Sequence, residues 1–162
     1  MKGYTGKYLK IDLTKRAYTV EQLTEEVAKN FIGGFGLGAY TLWNEIPKGT
    51  DPLSEKNVIC WWTGPNSGTI VPVSSKYVVA SKSPLTGVFG FGICSGGFGA
   101  ELKFAGWDGI VITGKAEKPT YIFIDDNIVE FRDASHLWGV NAWDAEDKIK
   151  KENSDESIKL SI

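Results

Sequence analysis

The chain has 162 residues, a formal net charge of −2, 42% hydrophobic and 23% charged residues. That length suits one domain or two very small ones, and the composition is that of a folded globular chain, not a disordered one. The near-neutral, slightly acidic balance argues against a nucleic-acid backbone or an anionic membrane as the main partner.

From the N-terminus, Leu9, Ile11 and Leu13 alternate with Lys10 and Asp12, which predicts a strand within 4–13. A turn at Thr14-Lys15 and a second strand at 16–20 follow. Thr24 is placed as an N-cap, with Glu25 and Glu26 in the first turn of a helix over 25–32. Gly33-Gly34 ends that helix, and a second one runs over about 35–45 and stops before Pro47. Strands are expected at 57–63 and 75–82, separated by the loop Gly64–Gly68. After a turn at 83–87, the stretch 87–99 (GVFGFGICSGGFG) reads as a Gly-rich loop that opens a short helix at about 99–105. Strands at 109–114, 120–124 and 128–132 come next, the last two joined through Asp125-Asp126-Asn127. A helix over about 141–151 and a final alternating strand at 157–162 complete the reading. The fold class is α+β with mixed sheets. A strand with no turn after it points to a truncated chain, or to one completed by another polypeptide.

Glycine is 19 of 162 residues, well above the usual share of about 7%. The glycines form no low-complexity tract, so they mark tight turns and places of close backbone approach. The only two cysteines, Cys60 and Cys94, are too few for a disulfide scaffold or a four-cysteine metal site. The single histidine, His136, excludes a multi-His metal centre within the chain. No run approaches the roughly 18 apolar residues of a membrane span, and no signal peptide is visible, so a cytoplasmic location is the expectation.

Gly33–Gly38 (GGFGLG) is not a G-x-G-x-x-G loop and follows a helix, which argues for close helix–helix packing instead of a nucleotide site. For 87–99 two readings stay open: a loop whose backbone groups converge on a ligand, or a Gly-rich bend between sheets. Taken singly, Lys76 reads as a surface lysine, Cys94 as an inert thiol and His136 as a structural residue holding a turn. Glu101 and Asp108, flanking the short helix, read as capping or salt-bridge residues. No carboxylate pair or catalytic triad stands out, so no residue is assigned a catalytic role.

The segments GKYLKIDLT (6–14), GPNSGT (64–69), SKSPLTG (81–87), SGGFGAELKFAGWDGIVITGKAEKP (95–119) and RDASHLWG (132–139) change the picture. Together they resemble the N-terminal domain of the tungsten-containing aldehyde:ferredoxin oxidoreductase family, collinearly from about residue 3 to the end. The resemblance implies a domain of two similar α+β halves whose sheets form a base for a bis-molybdopterin tungsten cofactor (tungstopterin) with magnesium. It implies a whole enzyme that oxidises aldehydes to carboxylic acids and passes electrons through a [4Fe–4S] cluster to ferredoxin.

The same resemblance gives the 87–99 loop the task of contacting the pterin and its phosphates. Lys76 stands where the family has an arginine, so the charge is kept and the bidentate fork is lost. The family's Asn-Ser-Gly-Gly falls on Ile93-Cys94-Ser95-Gly96 without a gap, or on Cys94-Ser95-Gly96-Gly97 with a one-residue shift. The second keeps Ser-Gly-Gly and is favoured. In either register the asparagine is gone; its role there is to offer a backbone carbonyl toward magnesium, which any residue can do. The cluster cysteines, the acid/base residues and a further Arg/Gly-rich loop belong to sequence beyond this chain. The expected partner is therefore the helical C-terminal part, or a separate subunit carrying the cluster cysteines, with no turnover by this chain alone. Two other readings are a stand-alone carrier that inserts the pterin cofactor, and a degenerate relative that binds nothing.

Overall fold

The computed structural model describes residues 1–162, which divide into two compact units, residues 1–116 and 117–162. The first unit is built on β1 (Lys7–Asp12), β2 (Ala17–Gln22), β3 (Ile59–Thr63), β4 (Tyr77–Lys82), β5 (Phe89–Cys94) and β6 (Gly109–Thr113). These form one sheet in the order β2-β1-β6-β3-β4-β5. Only β1 and β6 run parallel; the other neighbours are antiparallel, so the sheet is mixed. The expected α+β class with mixed strands is what the chain adopts.

Three helices accompany this sheet: α1 (Glu25–Phe31), α2 (Gly34–Glu45) and α3 (Phe98–Phe104). Thr24 caps α1 as expected, its side chain accepting from the Val27 N–H at 3.3 Å. α2 ends where Ile46, ahead of Pro47, turns extended. Its buried face carries Leu37, Gly38 and Leu42 onto Cys60, Trp62, Val78 and Ala80 of the sheet. Each such leucine contributes about 1.5–3 kcal/mol by leaving water. The Trp62 indole N–H reaches the Thr41 hydroxyl at 3.0 Å, so the one polar atom of that ring is satisfied in the core.

The second unit holds the hairpin β7 (Thr120–Asp125) and β8 (Ile128–Asp133), a 3-10 turn at Ser135–Leu137, and α4 (Ala142–Asn153). Asn141 caps α4, accepting from the Asp144 N–H at 3.0 Å. Both units thus repeat a hairpin followed by a helix, β1-β2-α1 and β7-β8-α4, at different sizes. His136 sits in the 3-10 turn and its Nε2 lies 2.5 Å from a Glu152 carboxylate oxygen on α4, the turn-holding role read from the sequence. No helix is long and apolar enough to cross a membrane.

Two expectations are corrected. Residues 157–162 alternate but join no sheet; alternation permits a strand, and only a ladder makes one. The stretch 87–99 is not a continuous loop, because its middle forms β5, fully paired with β4 from Phe89 to Cys94. The close packing expected at the Gly33–Gly38 helix–helix junction is present: a Cβ at Gly36 would collide with the Phe31 carbonyl at the end of α1. A Cβ at Gly38 would lie 3.1 Å from the Ala80 side chain, and one at Gly33 would lie 2.7 Å from the Thr63 carbonyl. Gly33 and Gly38 thus bring the same segment close to the sheet as well.

Candidate functional site

β5 is an edge strand of alternating glycine and apolar residues. Antiparallel pairing puts facing residues on the same side of a sheet. Ile93, Phe91 and Phe89 therefore share the α2 side with Val78, Ala80 and Lys82. Phe35 of α2 stacks edge-on against Phe89 and Phe91 at ring distances of 4.9 and 4.8 Å. Gly92 and Gly90 share the opposite side with Val79 and Ser81. That side is open at Gly92, where an added Cβ would meet nothing within 4 Å, and closer at Gly90, where one would lie 3.1 Å from the Ser83 side chain. Gly92 has no left-handed backbone that would demand glycine. An open depression of about 570 Å³ lies there, lined in part by Asn57, Val79, Ser81, Gly90 and Gly92.

The sequence-predicted site residues gather at one end of this strand pair. Tyr77 faces Cys94 in the last rung of the ladder, so Lys76 and Ser95 leave it side by side. Cys94 closes β5, and Ser95, Gly96 and Gly97 form the bend into α3. Ile93 belongs to β5 and faces the α2 side, away from the glycine face. Gly96 has φ +104°, which a side chain would strain, and a Cβ there would also meet open space. Gly99, the next residue but one into α3, is different: a Cβ would lie 2.9 Å from the Ser75 carbonyl, so it lets α3 sit against the start of β4. The Lys76 side chain is exposed and forms no ion pair.

The two cysteines part company. Cys60 is buried in β3 with its sulfur 3.5 Å from the Ala80 carbonyl, and burial pushes its thiol up to about 12. It stays protonated near neutral pH, a poor metal ligand or nucleophile. Cys94 is half-exposed beside the glycine face. No three His, Cys, Asp or Glu side chains come together in the chain.

The profile of the family described as aldehyde ferredoxin oxidoreductase, N-terminal domain, matches residues 8–162. The chain belongs to this family. It is 44% identical over 161 residues to the tungsten-containing aldehyde ferredoxin oxidoreductase of Pyrococcus furiosus, covering 99% of this chain and 27% of that protein. The enzyme of the same name from Thermococcus kodakarensis is 46% identical over 152 residues, 94% of this chain and 25% of that one. A Pyrococcus furiosus protein named aliphatic sulfonate oxidoreductase, WOR-like subunit, is 42% identical over 160 residues, covering 96% of this chain and 25% of the subunit. Among solved structures, the active site complex BamBC of benzoyl coenzyme A reductase with 1,5-dienoyl-CoA superposes with a TM-score of 0.94 at 33% identity. That match covers 96% of this chain and 24% of that one. The chain thus spans about a quarter of the length of the relatives it matches.

Sequence reasoning named Lys76 and Ser95–Gly97, which the fold brings side by side at the end of the β4–β5 pair, and did not single out the open glycine side of β5. Gly92 and Gly90 were counted as loop glycines. Their period of two, F-G-F-G-I, is the strand signal that could have found them.

Proposed function

We propose that this chain is the cofactor-cradling N-terminal part of a tungsten or molybdenum bis-pterin oxidoreductase that oxidises aldehydes to carboxylic acids. The observation that carries the reading is the glycine side of β5, where Gly92 leaves an opening that a Cβ would fill. It ends at an unpaired lysine and a glycine bend. This surface fits a flat, polar, anionic group. The glycine face admits a ring system against the backbone, Lys76 offers its ammonium to a phosphate, and Ser95–Gly97 offer N–H donors from the bend. In the register that keeps Ser-Gly-Gly, the Cys94 backbone carbonyl is the one that would serve magnesium. Bound there, the cofactor supplies the redox chemistry; this chain binds and orients it.

The catalytic acid/base groups and the cluster ligands belong, on this reading, to helical domains or a partner subunit outside the chain. Two cysteines on different strands, one with its thiol held protonated, do not make a four-cysteine cluster site. Electrons reach ferredoxin only through that further sequence, in the cytoplasm.

The test is purification from the source cell, with analysis for W, Mo and Fe and for the fluorescent oxidation product of the pterin. Tungsten or molybdenum with pterin, and iron with a cysteine-bearing polypeptide, is the expected result. Pterin and metal without iron would convert the reading to a carrier. A bare 17.8 kDa chain overturns it.

A further inference from the structure

Ser67 lies in the turn between β3 and β4 and is only 4% exposed. Its hydroxyl accepts from the Gly64 N–H at 3.1 Å and donates to the Lys76 carbonyl at 3.2 Å. Its own N–H donates to the Gly64 carbonyl at 3.1 Å. One buried side chain therefore ties the Gly64–Gly68 turn to the residue that precedes β4. The root of that turn is itself fixed, because the Thr63 hydroxyl donates to the Asp108 carbonyl at 2.7 Å. On its C-terminal side Lys76 is held by Tyr77, paired with Cys94, but on its N-terminal side residues 69–76 form neither helix nor strand, and Val73 sits at φ 60°. The Lys76 ammonium rides on a long, flexible stem, so the backbone anchor is the end of it that the fold can fix, and it sets the centre of the ammonium's reach.

We infer that Ser67 is a positioning residue: it sets Lys76 for an anionic phosphate group at the glycine end of the β4–β5 pair. This rests on the proposed role of Lys76 as the phosphate contact. Ser67 touches no ligand itself. Its hydroxyl acts by fixing the carbonyl, and so the Cα, from which the ammonium extends.

The test titrates inorganic pyrophosphate into the chain and into Lys76→Met, Ser67→Ala and the double variant, with circular dichroism confirming each fold. Lys76→Met should weaken the Kd about tenfold, the worth of a charge-assisted contact. Ser67→Ala should weaken it about three- to tenfold, and the double variant no further than Lys76→Met alone, because both changes remove one interaction. Ser67→Thr, which keeps the hydroxyl, should restore binding. A purely structural serine would lower the melting temperature without this non-additivity. If Lys76→Met weakens binding and Ser67→Ala does not, or the two losses multiply, the inference is overturned and the cofactor reading stands. If Lys76→Met changes nothing, the reading of Lys76 fails and takes the inference with it. Should Ser67→Ala not fold, Ser67→Cys, similar in size with a weaker donor, is judged by the same criterion.

Discussion

Asp108→Ala is expected to cost the fold about 3–5 kcal/mol, a large share of the roughly 5–15 kcal/mol that holds a small protein together. Asp108 is 1% exposed. One carboxylate oxygen accepts from the Lys103 ammonium at 2.5 Å and from the Thr5 N–H at 3.0 Å; the other accepts from the Gly6 N–H at 2.7 Å. Lys103 also donates to the Gly3 carbonyl at 2.9 Å. The pair therefore ties the N-terminal segment, α3 and the start of β6 together. Removing the carboxylate strands a buried ammonium and two backbone donors at once.

Lys103→Met should cost clearly less, because Asp108 keeps both backbone donors and the thioether fills the space. The double variant should recover part of the loss of Asp108→Ala, since no buried charge is left unpaired. Urea unfolding midpoints of the four proteins decide this. An Asp108→Ala loss below about 1 kcal/mol would show the pair to be solvated in solution.

Gly92→Ile should leave the chain folded and empty. The position is in a strand, its φ is not left-handed, and a Cβ meets open space. A β-branched residue there suits the strand better than glycine, by up to about 1 kcal/mol. The melting temperature should therefore hold or rise. The same side chain fills the face proposed for the pterin, so pterin recovered per chain should fall more than about tenfold. Gly99→Ala is the contrasting case: its Cβ would press on the Ser75 carbonyl, so stability should fall first and cofactor with it. A folded Gly92→Ile protein with full pterin content would move the cofactor off this face.

Much of the fold was legible because its signals are local. Thr24 followed by two glutamates, the Leu9–Ile11–Leu13 alternation and the Asp125–Asn127 turn each dictate a short element without help from the rest of the chain. What failed depends on partners. The Ile158–Leu160–Ile162 alternation resembles that of β1, yet β1 has ladders on both sides and 157–162 has none. β5 was hidden for the opposite reason: its glycines weaken the intrinsic strand preference, and its complete register with β4 overrides that. Of the proposed site, Lys76 and Ser95–Gly97 were named through family resemblance. Their adjacency needs the Tyr77–Cys94 rung, which no sequence pattern states. Ser67 was passed over because a serine in a Gly-Pro-Asn-Ser-Gly turn looks like any turn serine until its buried bond to Lys76 is seen.

The most direct test of the central claim is an anomalous diffraction map at the absorption edge of the bound metal, tungsten or molybdenum, from crystals of the metal-loaded protein. The account predicts a metal peak over the Gly90–Gly92 side of the β4–β5 pair, with cofactor phosphate density beside Lys76 and Ser95–Gly97. A peak on the α2 side of the sheet, or none near β5, would contradict it.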